Sequence, residues 1–183
     1  MKKLEGKKIA VLVTDGFELS ELTEPVKAIR EAGGAVDIIS PESKKVKSWN
    51  KDKWGMKFTA DKLLEDASPD EYDGLLLPGG VMNPDQLRKN EEAVDFVKGF
   101  FENGHQKPVA AICHGPWTLI NAGVVKGRSM TAYASLEQDL INAGANWCDE
   151  EVVVDNGLIT SRHPDDLPAF NKKMVEEFCE GVH

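Results

Sequence analysis

Short, unbroken apolar runs alternate along this chain with stretches of helical periodicity, and this alternation limits its possible folds more than any other feature. Residues 9–14, 74–77 and 108–112 are continuous, mainly apolar segments, typical of strands buried on both faces of a parallel sheet. Between them, apolar residues recur three or four positions apart, which indicates amphipathic helices. Strands and helices that alternate in one chain predict an α/β sandwich with a mostly parallel central sheet.

Turn signals and periodicity predict further elements. Residues 35–40 predict another strand, and residues 152–154 and 158–160 flank an Asp-Asn-Gly turn that predicts a β-hairpin. Residues 41–60 have no clear period and predict an extended excursion or a hairpin. Helices are expected after these strands, over residues 91–101, 116–122, 135–144 and 167–180.

Two local signals concern where helices begin. A helix predicted to end at Gly33 contains Pro25, so we expect it either to kink at Pro25 or to begin there. Ser135, followed three residues later by Gln138, matches a capping box and predicts that a helix opens at Ser135.

Composition argues against several classes of protein. The 183 residues include 22 Lys+Arg and 31 Asp+Glu, giving a net charge of −9, and this acidic balance argues against nucleic acid as a required partner. No stretch approaches the roughly 20 apolar residues of a membrane span, and the apolar run at residues 9–13 is too short for a secretory signal. We therefore expect one globular domain over residues 1–183, in the cytoplasm and without a membrane partner.

The three cysteines are an odd number at wide spacings, which argues against a disulfide framework and a zinc-type pair. We expect no metal and no cofactor. Cys148 and Cys179 stand beside Trp147 and Phe178, so we expect them to have packing roles. Cys113 is then the candidate nucleophile.

The segment around Cys113 predicts a nucleophile elbow. Residues 111–116 read Ala-Ile-Cys-His-Gly-Pro and join a strand to a helix, which is the elbow pattern with sulfur in place of oxygen. Small flanking residues permit a sharp, strained turn, and Pro116 suits the first turn of a helix. The helix dipole and free N–H groups are expected to lower the pKa of the Cys113 thiol.

Further candidates lie where other core strands end, because ligands bind at the carboxyl ends of parallel strands. Gly79 and Gly80 predict backbone N–H donors of an oxyanion hole, or simply a tight turn. Glu18 predicts a proton carrier or a hydrogen-bond partner of the sulfur, or else an acidic residue favoured early in a helix. His114 is a candidate base for Cys113 if a carboxylate orients it.

The other histidines leave one alternative open. His163 lies in Arg-His-Pro-Asp at residues 162–165, which resembles the His-Pro-Glu segment that supplies the base for an elbow cysteine in amidotransferases. His105 lies in a polar stretch and His183 at the end of the sequence, and we expect both to be solvated.

Four segments together resemble the PfpI branch of the ThiJ/PfpI superfamily, and the similarity runs from about Lys8 to Phe178. The segments are DGFE (15–18), LPGG (77–80), AICHGP (111–116) and SRHPDDLPAF (161–170). The resemblance implies a flavodoxin-like sandwich of the class I glutamine-amidotransferase type. It also implies Cys113 as the nucleophile and Glu18 beside its sulfur.

In the part of the family with a Cys-His dipeptide, the histidine is oriented by an acidic residue of a neighbouring subunit. The matching position here is Asp85, in Pro84-Asp85, where the family pattern has Glu. The resemblance therefore implies a homodimer or a larger homo-oligomer in which Asp85 reaches the His114 of another copy.

The resemblance implies a cysteine-dependent, stress-protective enzyme that acts on small carbonyl substrates or glycated proteins. The expected reactions are removal of methylglyoxal or glyoxal adducts and conversion of the free dicarbonyl to a hydroxy acid without glutathione. Attack of a thiol on an aldehyde gives a hemithioacetal and requires no metal. An intracellular cysteine peptidase and a non-enzymatic redox-sensing or chaperone protein remain as alternatives.

Overall fold

A central seven-stranded sheet organises the computed structural model, which describes residues 3–102 and 106–183. The strands are β1 (Lys8–Leu12), β2 (Ala35–Ser40), β3 (Lys45–Asn50), β4 (Lys53–Thr59), β5 (Lys62–Leu63), β6 (Gly74–Leu77), β7 (Val109–Ile112), β8 (Ser129–Met130), β9 (Asn146–Trp147), β10 (Val153–Asp155) and β11 (Leu158–Ser161). The helices are α1 (Leu19–Glu31), α2 (Met82–Leu87), α3 (Glu91–Lys98), α4 (Pro116–Asn121), α5 (Glu137–Asn142) and α6 (Leu167–Glu180).

The sheet has the order β10-β11-β7-β6-β1-β2-β5, and its pairs are parallel except for the β10–β11 hairpin. This confirms the predicted, mostly parallel sheet. Every residue of β6, β7 and β11 is buried, which explains their continuous apolar sequences. The order also sets the carboxyl ends of β1, β6 and β7 side by side, so residues that follow these strands can meet.

Helices cover both faces of the sheet, and each face has its own apolar core. Leu22 and Ile29 of α1 and Phe170 and Phe178 of α6 belong to one core. The helices from α2 to α5 contribute to the other core, which includes Phe96. The arrangement confirms the expected flavodoxin-like sandwich.

Helix α1 passes through Pro25 rather than beginning there. It starts at Leu19, and Pro25 is a buried residue inside it. Proline removes one backbone hydrogen bond, but the inward-facing residues on both sides of it, including Leu22 and Ile29, are packed in the core. Tertiary packing therefore holds the helical conformation across the proline.

Residues 41–60 contain the hairpin that was one of the two expected alternatives. Strands β3 and β4 pair antiparallel in a two-stranded sheet, with the rings of Trp49 and Trp54 edge to face at 5.6 Å. The hairpin packs on the loop after β1, because Trp49 donates its backbone N–H to Phe17.

The predicted capping box at Ser135 does not form. Ser135 lies inside a short 3-10 helix, Ala134–Leu136, and α5 follows with Leu136 as its N-cap and no side-chain cap. The Ser135 hydroxyl points instead to His114, as described below.

We expect Phe178→Ala to lower the free energy of unfolding by about 3–5 kcal/mol, because the deleted ring leaves a cavity in the core. Phe178 is fully buried and packs against Gly74 of β6. A Cβ added at Gly74 would lie only 2.8 Å from the Phe178 ring. Ile141→Ala, at a side chain that is 45% exposed, is the matched control and should cost less than about 1 kcal/mol. Urea unfolding of both variants measures the difference, and equal losses would contradict this account of the core.

Candidate active site

Cys113 occupies a strained turn directly after β7, as the elbow pattern predicts. Its φ of 62° lies in the left-handed region, which is unusual for a residue with a side chain and costs of order 1–3 kcal/mol. The turn is fixed on both sides, because Cys113 N–H donates to Ser161 at 3.0 Å and Gly115 N–H donates to Ile112 at 2.9 Å. Helix α4 begins immediately afterwards at Pro116.

The left-handed turn brings the side chain of His114 beside that of Cys113. His114 Nδ1 lies 3.2 Å from Cys113 Sγ, and both side chains are largely buried. The imidazole stacks on Tyr133 with ring centroids 4.7 Å apart, and Trp117 approaches it edge to face at 5.0 Å. Adjacent residues can therefore act on one side of the turn, which an ordinary backbone would prevent.

Glu21 is the acidic residue against Cys113, and the sequence patterns did not predict it. It is fully buried in α1, its Oε2 accepts a 2.8 Å hydrogen bond from Gly79 N–H, and its side chain interacts with that of Cys113. Its Oε1 has no hydrogen-bond partner within the described residues. An unpartnered buried carboxyl oxygen is costly and is well suited to hold a proton.

Glu18, which the family resemblance implied to lie beside the sulfur, is the residue just before α1. It is the N-cap of α1, with an extended backbone, and its carboxylate interacts with the backbone N–H groups of Lys51 and Leu19. Glu18 precedes the helix and makes no side-chain cap hydrogen bond, whereas Glu21 lies inside the helix and is fully buried. The signal for Glu21 was its place on the apolar stripe that includes Leu22.

Burial is the main cause of the pKa shifts of the three titratable groups in the site. Burial raises the pKa of Glu21 to about 8 and lowers the pKa of His114, so both favour their neutral forms near neutral pH. Burial also raises the pKa of Cys113, and an ionised Glu21 raises it further, while the N–H groups of His114 and Gly80 act in the opposite direction. The lowering expected from the helix start is therefore outweighed, and protonated Glu21 relieves the repulsion of a thiolate.

The backbone N–H groups of the two glycines after β6 do not have the same partners. Gly79 N–H is already taken by Glu21, so it does not supply the free oxyanion donor that the sequence predicted. A Cβ at Gly79 would lie 2.5 Å from Glu21 Oε2 and 2.6 Å from Cys113 Cβ, which explains the glycine. Gly80 has φ 72°, and its N–H lowers the pKa of both Cys113 and Glu21. Gly80 is the remaining oxyanion candidate of the two.

Asn83 fixes this turn from the side of α2. Its amide nitrogen donates to Pro78 and Gly79, and its oxygen accepts from Thr14 N–H at 2.8 Å. Asn83 is fully buried. The side chain therefore ties the ends of β1 and β6 together.

Asp85 is exposed on α2, and no hydrogen bond joins it to His114 within the described chain. Its expected contact is with a second copy, so it stays a prediction. Within one chain, the Nε2 atom of His114 faces the hydroxyl of Ser135 at 3.3 Å.

Among the described residues, the other candidate histidines and cysteines make no hydrogen bond to the Cys113 sulfur. His163 Nδ1 is 4.0 Å from Asp166 Oδ1, while the hydrogen bond to Cys113 comes from His114. His183 pairs with Glu177 at 3.2 Å, and His105 lies outside the described residues. Cys179 is exposed and Cys148 is half-buried, so the packing role predicted for Cys179 is wrong.

One group with metal-ligand spacing occurs within residues 3–102 and 106–183. It consists of Glu177, Glu180 and His183 at the end of α6. None of the three belongs to the Cys113 site. No helix in the described ranges is long and apolar enough to cross a bilayer.

A flavodoxin-like sandwich with a strained cysteine at the end of β7 and a buried carboxyl group against it defines a class of elbow-cysteine α/β proteins. Comparison with known families places this chain more narrowly. Residues 7–177 match the DJ-1/PfpI family, and the chain belongs to that family.

Individual relatives agree with this assignment. The protein/nucleic acid deglycase 2 of Escherichia coli K12 is 48% identical and covers 93% of this chain and 96% of its own length. A Bacillus subtilis protein provisionally named the cysteine protease YraA is 50% identical, covering 93% of this chain and 97% of its own. The structure of Drosophila melanogaster DJ-1beta superposes with a TM-score of 0.85 at 29% identity, covering 94% of this chain and 90% of that one.

We expect Glu21 to make stability fall as pH rises. Its pKa is raised from 4.5 to about 8, so between these values the folded state holds a proton that the unfolded state releases, and the stabilisation is lost towards high pH. Relative to Glu21→Gln, the wild type should lose about 1.4 kcal/mol per pH unit in this window.

Urea unfolding at several values between pH 5 and pH 8 measures this difference. Glu24→Gln, at an exposed position of the same helix, should keep the pH dependence of the wild type. Parallel stability curves for wild type and Glu21→Gln would show that Glu21 ionises normally in the folded protein.

Proposed function

We propose that this protein is a cysteine-dependent deglycase that removes methylglyoxal and glyoxal adducts from the amines and thiols of proteins. The observation that carries the proposal is the contact of Cys113 Sγ with His114 Nδ1 at 3.2 Å. Fully buried Glu21 interacts with the same cysteine side chain. The name of the E. coli relative supports the deglycase reaction.

The proposed reaction begins with Cys113. Neutral His114 takes the thiol proton, and the sulfur attacks the carbon that joins the adduct to the protein. The C–N or C–S bond of the adduct breaks, the amine or thiol leaves with a proton, and the dicarbonyl fragment remains on Cys113 as a hemithioacetal. Free methylglyoxal reaches the same hemithioacetal directly.

The hemithioacetal is then converted to the hydroxy acid. A proton moves from the carbon bearing sulfur to the neighbouring carbonyl carbon, through an enediol, and leaves a thioester. Glu21 is the proposed carrier for this transfer: protonated near neutral pH, it gives its proton to the neighbouring carbonyl oxygen and, as a carboxylate, takes the proton from the carbon bearing sulfur. It then returns that proton to the former carbonyl carbon and regains one from the hydroxyl group on the carbon bearing sulfur, which leaves the thioester. Gly80 N–H is the proposed donor to the negative oxygen. Water cleaves the thioester to lactate and restores the thiol, so the overall reaction on an adduct is a hydrolysis.

The proposed reaction covers free dicarbonyl as well as its adducts. Adducts exchange with free dicarbonyl, so removal of either depletes both. We propose glycated protein as the substrate, because an acidic chain with a net charge of −9 repels the phosphate backbone of nucleic acids. The proposed location is the cytoplasm. A homo-oligomer that brings Asp85 to another copy's His114 remains part of the proposal.

A cysteine peptidase is the second candidate, favoured by the Cys113–His114 pair and by the name of the B. subtilis relative. The largely buried sulfur, 7% exposed as a residue, suits a small carbonyl better than an extended peptide. Casein or unfolded-peptide cleavage that depends on Cys113 would favour this alternative.

We expect wild type to form lactate from methylglyoxal without glutathione and to release free cysteine and lysine from their methylglyoxal adducts. Cys113→Ala should abolish both reactions, because no other group of the site can form the covalent intermediate. Cys148→Ala is the matched control and should retain them. Turnover by Cys113→Ala equal to that of wild type would overturn the proposal.

We expect Glu21→Gln to reduce kcat by about 100-fold or more, since general acid–base groups contribute about 10²–10⁴-fold. Glu18→Gln should retain activity within about threefold, and exposed Glu24→Gln should be unchanged. Lactate production by the three variants at equal folded concentration decides between the carboxyl groups. A large loss in Glu18→Gln with an active Glu21→Gln would reverse the assignment.

A further inference from the structure

The hydroxyl of Ser135 lies against the nitrogen of His114 that faces away from the sulfur. Ser135 Oγ is 3.3 Å from His114 Nε2, and His114 Nδ1 is 3.2 Å from Cys113 Sγ. The three side chains form one line from hydroxyl through imidazole to thiol. The proposed reaction uses only the contact between Nδ1 and the sulfur, and it gives no role to the contact between Nε2 and Ser135.

The tautomer of His114 decides whether it can act as a base. A neutral imidazole carries one proton, and Nδ1 can accept the Cys113 proton only when that proton sits on Nε2. In that form Nε2–H is a donor, and Ser135 Oγ is the acceptor placed to receive it. After proton transfer Nε2–H remains a donor, so the same hydrogen bond stabilises the imidazolium.

Ser135 also selects between the two orientations of the ring. Tyr133 and Trp117 fix the plane of the imidazole. A half-turn about the Cβ–Cγ bond of His114 keeps the ring in this plane and preserves both contacts. The half-turn would place a carbon atom against the sulfur and another carbon against Ser135. Only the observed orientation gives Ser135 a nitrogen partner, so this hydrogen bond favours the productive ring position.

The backbone holds Ser135 in place for this contact. Tyr133 N–H donates to the carbonyl of Cys113 at 2.9 Å and Leu136 N–H donates to Tyr133 at 2.8 Å, while Leu136 is fully buried. The 3-10 segment that contains Ser135 is thus attached directly to the elbow. Its position does not depend on the exposed hydroxyl itself.

Few charges act on His114 from the surrounding elements. Arg88 lies over the Trp117 ring at 5.2 Å, and Asp139 accepts from Trp117 Nε1 at 2.9 Å; both interact with Trp117. Glu21 lies beyond Cys113. Ser135 is therefore the group that contacts Nε2 within the described chain.

We propose that Ser135 is a positioning residue that fixes the tautomer and orientation of His114 and so promotes transfer of the Cys113 proton to Nδ1. The inference rests on the proposed role of His114 as base, but it does not require that the substrate be a glycated protein. It adds a contact within one chain to the orienting role that the family resemblance gives to Asp85 of a second copy.

The test is the rate at which iodoacetamide alkylates Cys113 between pH 5 and pH 9, in a Cys148→Ala, Cys179→Ala background. Ser135→Ala should slow alkylation about tenfold near neutral pH, the size expected for a lost hydrogen bond to a charged group, and move the midpoint of the pH–rate profile upwards. Ser135→Thr should restore the rate, and Gln138→Ala on the neighbouring turn should leave it unchanged.

Nitrogen-15 NMR of His114 supplies a second readout that a merely structural role would not move. The parent should show the proton on Nε2, and Ser135→Ala should show a mixture of tautomers with a lower imidazole pKa. An unchanged profile in Ser135→Ala, or no rescue by a folded Ser135→Thr, would overturn the proposal. So would a shift caused by Asp85→Asn but not by Ser135→Ala. Neither readout uses a glycated substrate, so failure of the deglycase assay leaves this test intact.

Discussion

The close approach of three chain segments at Gly79 is the constraint on which the site depends. The end of β6, the inward face of α1 and the elbow after β7 meet there, with no room for a Cβ between Glu21 and Cys113. The Gly79 N–H bonds directly to the Glu21 carboxyl. Because the strands are parallel neighbours, the sheet itself sets this contact, and the acid and the thiol cannot separate without moving a strand or α1.

The buried acid and thiol also restrict the charge that the site can carry. A low-dielectric environment penalises each ionised group and penalises two like charges more strongly. Glu21 and His114 are therefore neutral near neutral pH, as the directions of their pKa shifts indicate. A thiolate at Cys113 is tolerated best when Glu21 keeps its proton and His114 gains one. The fold thus couples proton transfer to nucleophile formation through packing and hydrogen bonds.

Much of this protein could be predicted from local sequence patterns, and the failures share one physical cause. The continuous strands and the elbow at Cys113 follow from apolar runs and from the small residues around the cysteine. Glu18 was predicted because it follows the end of β1 and matches the family segment, and Glu21 was not considered, since the direction of a helical side chain depends on where α1 packs. Ser135 was interpreted as a cap because its spacing to Gln138 fits, yet its hydroxyl has a partner 21 positions away.

The sequence by itself determined the layered α/β fold, the strand that carries the nucleophile and the need for glycine beside it, because these follow from periodicity and from backbone sterics. Only the tertiary structure decided which carboxyl group lies against the sulfur, which glycine N–H bonds to that carboxyl group and which residue faces the outer nitrogen of His114. Those choices depend on contacts between segments that are distant in sequence. Such contacts exist only once α1, β6 and β7 have packed together.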